Sequence, residues 1–241
     1  LSFRTSFILL ILLDISFYFT SLYSVEFIFN HIENIGPWNR NQLMFFLSYM
    51  LVVDHLHMTL ISESFWMFSF DLRTGNFDFD LLRPTHSIFN VFFKYIRPSG
   101  IITTVTIYPI LIYFGIQNNL SIISWITLPV LILLSFTLLA ILEIFISTSM
   151  FWSIEGIGIN FLRMQIQSFA RWPDFIYSYL TRKILSVFMP VLLIGTAPVS
   201  YLFDSSNWQL IMYLLLAIIT FGYITSIIWK IGLRNYNSAS S

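Results

Sequence analysis

Six ionisable side chains, Asp14, Asp54, His55, His57, Glu63 and Glu143, fall within or near long apolar runs of a 241-residue chain. A carboxylate at the centre of a bilayer costs roughly 2.5–3.5 kcal/mol on insertion scales, so groups of this kind face protein or water. Asp54 and His57 are three residues apart and share one helix face, whereas His55 points elsewhere. One chemistry this spacing offers is a proton relay from Asp54 to His57, with Glu143 or Asp14 across the bundle, which would make the chain a proton-coupled carrier. The preferred reading is simpler: hydrogen-bonded glue between helices or between two permease copies, with Glu63 and Glu143 near the inner boundary.

Other chemistries find no support. The absence of Cys removes disulfides, thiolate nucleophiles and iron-sulfur clusters. The four His include His31 and His86 on opposite sides and no H-x-x-x-H pair, so no metal site is expected. No G-x-S-x-G occurs, and no catalytic residue is assigned. There is no G-x-x-x-x-G-K-[ST], and none of the nine Gly precedes a Lys, so the chain cannot cradle ATP phosphates itself and no cofactor is expected on it. Twelve Lys+Arg balance twelve Asp+Glu, which leaves no basic excess for nucleic acid.

The elements that must carry these residues follow from composition. At 57% apolar, 19% aromatic and 10% charged, the chain reads as an all-α polytopic membrane protein and a single transmembrane domain over 1–241. Continuous rather than alternating apolar runs exclude a barrel. Six runs are long enough to cross: 6–27, 42–66, 99–115, 121–151, 184–203 and 208–231. With both ends inside, the inner set holds Arg4, Arg73, Arg83, Lys94, Arg97, Arg163, Arg171, Arg182, Lys183, Lys230 and Arg234, and the outer set Arg40 alone, a split of 11 to 1. Trp38, Trp125 and Trp208 then fall at outer boundaries, and Trp66, Trp152, Trp172 and Trp229 at inner ones. The first run contains Asp14 and lacks a small-x-small site, so it reads as a retained helix rather than a signal; a start at Leu1 points to removed upstream sequence.

The outer loops are about 14, 5 and 4 residues, whereas two cytoplasmic connections, 67–98 and 152–183, run to about 30 each and hold eight of the twelve cations. In the first, Thr74-Gly75-Asn76 before Asp78 is a turn, and Pro84 suits the first position of a new helix. Ile88, Val91, Phe92, Tyr95 and Ile96 make one apolar stripe before Pro98 ends the run, giving an amphipathic helix that either lies in the headgroup layer or acts as a lever on a partner. The second predicts a short helix over 159–170, broken at Trp172-Pro173. Pro190, Gly195 and Pro198 predict that the fifth crossing is broken near its outer end.

These residues resemble the integral membrane permease subunits of type-2 ABC exporters, in the branch whose bacterial operons encode two related permeases beside one ATPase. Gly75-Asn76-Phe77-Asp78-Phe79-Asp80-Leu81-Leu82-Arg83-Pro84 is similar to the family's G-x-L-D-x-x-L-x-R-P stretch, with Phe77 in place of Leu. Phe151-Trp152, Arg171-Trp172-Pro173, Ile176-Tyr177, Pro190 and Pro198 follow its pattern toward the fifth crossing. Gly232-Leu233-Arg234-Asn235-Tyr236 with Ser238-Ala239-Ser240 resembles its C-terminal ending, which makes this end read as complete. The resemblance covers most of the chain from Glu63 onward. It implies a dimer of six-helix permeases, from a second copy or a related chain, in the bacterial inner membrane among its lipids. It further implies two cytoplasmic ATP-binding subunits, a coupling helix between crossings two and three, and short outer re-entrant elements between crossings five and six. On that footing Gly75, Asp78, Leu82, Arg83 and Pro84 are the expected ATPase-coupling residues, and the substrate is expected to be hydrophobic or amphipathic. A proton-coupled carrier and a non-transporting scaffold remain as alternatives.

Overall fold

Inside a bilayer every backbone N–H must find a carbonyl within its own segment, and the apolar runs do so as helices. The computed structural model describes residues 2–153 and 156–236; Ser238-Ala239-Ser240 lie outside them. The long helices are α1 (Ser2–Phe29), α2 (Arg40–Leu60), α6 (Pro98–Gln117), α7 (Ile122–Thr148) and α11 (Trp208–Asn235). Shorter ones are α3 (Ser62–Thr74), α4 (Phe77–Leu81), α5 (Ser87–Phe92), α8 (Ile157–Ala170), α9 (Tyr179–Lys183) and α10 (Leu193–Phe203). A two-residue hairpin pairing, β1 (Asn34–Ile35) with β2 (Trp38–Asn39), joins α1 to α2. Among the described residues five helices are long and apolar enough to cross a membrane, six if the bent pair around Pro190 counts as one span.

Local chemistry sets the boundaries. Asn39 caps α2 by accepting from the Gln42 N–H at 3.0 Å, and Gln42 returns the bond at 3.0 Å, a reciprocal capping box. Ser121 caps α7 in the same sense. Pro98, expected to end a helix, instead starts α6 at its first turn, where its missing N–H is no loss. α2 is the axis of the bundle and is buried nearly all round, touching α1, α6, α7 and α10.

The largest departure from expectation is the segment 152–183, expected to be a cytoplasmic connection. A Cβ on Gly156 would run into Ser69 near the end of α3. Farther on, Arg163 meets Glu143, and Gln167 and Arg171 meet Asp54 in α2. Asp174 donates its N–H to Thr196 at 3.2 Å, and the Phe175 ring packs 5.0 Å from Trp38 in the hairpin at the other end of α2. Ser69 and Trp38 lie at opposite ends of the α2–α3 rod, so 156–175 runs the length of the bundle. The faces of α8 are inverted relative to a water-facing helix: Asn160, Arg163 and Gln167 are buried, while Phe161, Leu162 and Met164 are exposed. That sidedness is the one a helix adopts when lipid is its solvent. Trp172 lies past the C-terminal end of α8, and Trp229 in α11 is buried at 1% exposure.

The proline-rich run also differs from expectation. Its break falls at Met189–Leu192, where α9 and the π-helical turn 184–188 meet α10 at 98°, so Pro190 marks the bend while Gly195 and Pro198 lie inside α10. Pro198 has no N–H for the Ile194 carbonyl one turn back. Ser135 of α7 supplies the missing donor to Ile194 O at 2.6 Å and bonds the Tyr49 hydroxyl at 2.7 Å. Gly195 lets α10 close on α2, because a Cβ there would stand 2.6 Å from Met50 Sδ. Ser135→Ala leaves two buried polar groups short of a partner and is expected to destabilise the chain by about 1–3 kcal/mol. Equilibrium unfolding in mixed micelles checks this.

Candidate functional site

Two constellations emerge from this packing. The first is a ladder of charges along α2. His57 Nε2 donates to Glu143 Oε2 at 2.5 Å, and Arg163 Nη1 lies 3.0 Å from the same oxygen, all three side chains at 1–2% exposure. The Arg163 guanidinium sits 4.4 Å over the Phe65 ring, a cation–π contact that adds to its desolvated pairing. Asp54 accepts from Gln167 at 3.0 Å and from Arg171 at 2.8 Å. Asp14 in α1 receives Arg97 at 3.0 and 3.1 Å. His55 faces the other way: its Nδ1 shares a hydrogen bond with the Tyr18 hydroxyl at 2.9 Å, and its Nε2 bonds Thr104 at 3.0 Å.

The structure therefore joins His57 to Glu143 but not Asp54 to His57, and Asp14 stands apart with its own arginine. Asp14, Asp54 and Glu143 are each tied to a cation on another element, which is the arrangement of helix-to-helix ties, whereas Glu63 is exposed in the first turn of α3. The partners Arg97, Arg163, Gln167 and Arg171 were not singled out from sequence. The signal that points to them is the acids themselves, since each buried carboxylate demands a cation from another segment.

The second constellation lies at the other end of α3. Gly75 ends α3 in the left-handed region at φ +77°, which a Cβ disfavours. The chain then turns through α4, a loop over 82–86, and α5. Pro84, expected to open a helix, sits in that loop, and α5 begins at Ser87 because Asn90 holds the loop: it donates to Asp80 O and Thr85 O at 3.3 Å and accepts from the Thr85 hydroxyl. α5 ends at Phe92, so Tyr95 and Ile96 leave the expected stripe, and Val91 and Phe92 pack into protein rather than a headgroup layer. Lys94 clamps the hairpin root, reaching Asp80 at 3.0 Å and Asp71 at 3.3 Å. Burial works against the Lys94 charge, but the hydrogen bond and charge of Asp80 with the charge of Asp71 outweigh it and hold its pKa above the usual lysine range. The clamp therefore stays charged at any physiological pH.

Under the hairpin lies a cluster of rings. Phe77 packs 5.6 Å from Phe151 and 5.0 Å from Tyr236, Phe151 stands 5.0 Å from Trp229, and Phe68 lies 5.6 Å from both Phe151 and Trp229. Trp229 Nε1 donates to Ser87 Oγ at 2.9 Å, tying α11 to α5. Gly232 makes room for Phe151, whose Cε2 would stand 2.9 Å from a Cβ there. Three stretches far apart in sequence, 75–84, 151–152 and 232–236, thus meet in one place. Outward from the clamp the hairpin tip is apolar and open, with Leu82 80% and Phe79 67% exposed, beside Arg83, which lies 3.8 Å from Asp80.

An all-α bundle of apolar spans held by buried ion pairs, with a hairpin at one end, is the architecture of a polytopic membrane protein. The sequence matches the family described as ABC-2 family transporter protein over residues 15–240, and the chain belongs to that family. Comparison with curated proteins and with solved structures finds no match.

Proposed function

We propose that the chain is the permease half of an ATP-driven exporter, moved by a separate cytoplasmic ATPase chain that grips the 75–92 hairpin. The observation that carries this reading is the contrast within the hairpin. Its root is locked by Lys94, Asn90 and the ring cluster, while Leu82, Phe79 and Phe89 stand exposed at its tip. A push on the tip is passed to α7 through Phe151 and to α11 through Trp229, so partner closure favours one arrangement of the bundle over another.

In this reading α8 is the fifth crossing, the bent α9–α10 pair re-enters from the far side, and α11 returns the chain to the starting side. Arg163, Arg171, Arg182 and Lys183 leave the inner set. Arg4, Arg73, Arg83, Lys94, Arg97, Lys230 and Arg234 remain on the hairpin side, which supports its being cytoplasmic. The apolar grooves between α1 and α6 and between α6 and α7 suit a hydrophobic or amphipathic cargo, and the setting is the bacterial inner membrane, with a second copy or related permease alongside. Gly75 provides the turn, and Leu82 and Arg83 the contact.

Leu82→Asp places a charge at the tip without touching the clamp. It is expected to reduce co-purifying ATPase at least tenfold, about 1.4 kcal/mol of docking free energy, with unfolding of the chain unchanged. Undiminished recovery of the ATPase and undiminished ATP hydrolysis would remove the hairpin from the coupling path.

A further inference from the structure

We infer that the elbow between α9 and α10 is a binding site for an anionic phospholipid-class amphiphile. The elbow sits at mid-height in the bundle. Leu192 donates its N–H to Leu185 O at 3.1 Å, and Ile194, two residues on, is held by Ser135, the fourteenth of the 27 residues of α7. Between the elbow and the N-terminal half of α11 runs an open groove of about 600 Å³, within the size range of small-molecule sites. One wall is apolar, formed by Leu210, Leu216, Ala217 and Phe221; the other carries Arg182 and Lys183.

The two cations are not equivalent. Arg182 is paired with Asp174. Lys183 lies 4.6 Å over the Tyr179 ring, and among the described residues no carboxylate stands within ion-pair distance of it. The groove therefore presents one net positive charge beside a hydrocarbon trough. An ammonium facing bare acyl chains without a counter-charge is disfavoured. A phosphate diester resting on Lys183 and the outer edge of Arg182, with its acyl chain along Leu216 and Ala217, satisfies the charge and covers the trough together. A zwitterionic lipid brings its own ammonium to the same place and loses the electrostatic gain.

The test uses the full chain, purified in mixed micelles holding equal phosphatidylglycerol and phosphatidylcholine, with retained lipid counted by native mass spectrometry. The wild-type chain is expected to retain phosphatidylglycerol about tenfold over phosphatidylcholine. Arg182→Gln with Lys183→Gln should bring that ratio near one with phosphatidylcholine retention unchanged, and Lys230→Gln, the same charge change elsewhere, should leave it alone. Leu216→Trp fills the trough with both cations intact and should lower phosphatidylglycerol retention as well. Equal retention of the two lipids by the wild-type chain, a ratio that survives the double substitution, or one that falls equally in Lys230→Gln overturns the assignment. None of these readouts involves the ATPase, so the outcome is independent of the exporter reading.

Discussion

Arg163→Met is expected to lower the stability of the chain by about 3–5 kcal/mol, the range for leaving one member of a buried ion pair without its partner. Glu143 is 2% exposed, and its Oε2 is shared between His57 and Arg163. Without the guanidinium the carboxylate keeps one neighbour in a place water does not reach, and the Phe65 ring loses the cation 4.4 Å above it. Removal of the whole triad should behave differently. Replacing His57, Glu143 and Arg163 together with apolar residues of similar volume takes away the desolvation penalty along with the attraction, and is expected to be near neutral. Equilibrium unfolding in mixed micelles, followed by tryptophan fluorescence, separates the two cases. A single substitution costing under about 1 kcal/mol, the size of a solvent-exposed pair, would contradict the placement of α8 against α2 and α7.

Trp229→Ala is expected to cost about 3–5 kcal/mol as a large-to-small change in a packed core. Its functional effect should exceed that of other core substitutions of equal cost. Trp229 touches Phe68, Phe77, Phe92 and Phe151, and its indole N–H holds Ser87 of the hairpin. Removing it frees α11 from α5 while Leu82 and Phe79 stay in place to dock a partner. The expected result is an ATPase that still co-purifies but whose hydrolysis no longer responds to substrate. Leu139→Ala, at 1% exposure in α7 and remote from the hairpin, serves as the comparison. If both variants lose coupling alike, the ring cluster transmits nothing beyond general stability.

Much of the fold is legible in sequence because most spans are uniformly apolar and their caps are local. The start of α2 at Asn39 with Gln42, the extent of α7, and the turn at Gly75 all rest on neighbours within four residues. α8 is not legible this way. Asn160, Arg163, Gln165 and Gln167 drag its hydropathy down, so an average along the chain assigns it to water. Three of these four are buried against protein, and their partners Glu143 and Asp54 lie on helices α7 and α2. Long-range pairing reverses the meaning of a polar residue, and no local window contains it. The same blindness affects the proline-rich run, where Pro198 reads as a helix breaker although Ser135 supplies the donor that its missing N–H withholds from Ile194 O. Pro84 failed for a related reason: its φ suits a first turn, but the Asn90 bonds to Thr85 and Asp80 fix the loop and delay α5 to Ser87.

At the candidate site, the sequence showed which residues carry charge inside apolar runs without showing who meets whom. Asp54 and His57 share a helix face as their spacing requires, yet Asp54 reaches Gln167 at the far part of α8 while His57 meets Glu143 of α7, which in turn holds Arg163. The convergence of Phe77, Phe151 and Tyr236 needs three separate chain reversals to line up, which spacing along the sequence does not encode.

The chain lacks Cys, so a single thiol can be placed where the account is most exposed to contradiction. Leu82→Cys, carrying a short photoreactive maleimide and illuminated in intact membranes, tests the central claim directly. The account predicts one dominant adduct, to a chain that binds ATP, together with protection of this thiol from membrane-impermeant reagents added outside intact cells. Labelling from the exterior, with no nucleotide-binding chain among the adducts, would contradict it.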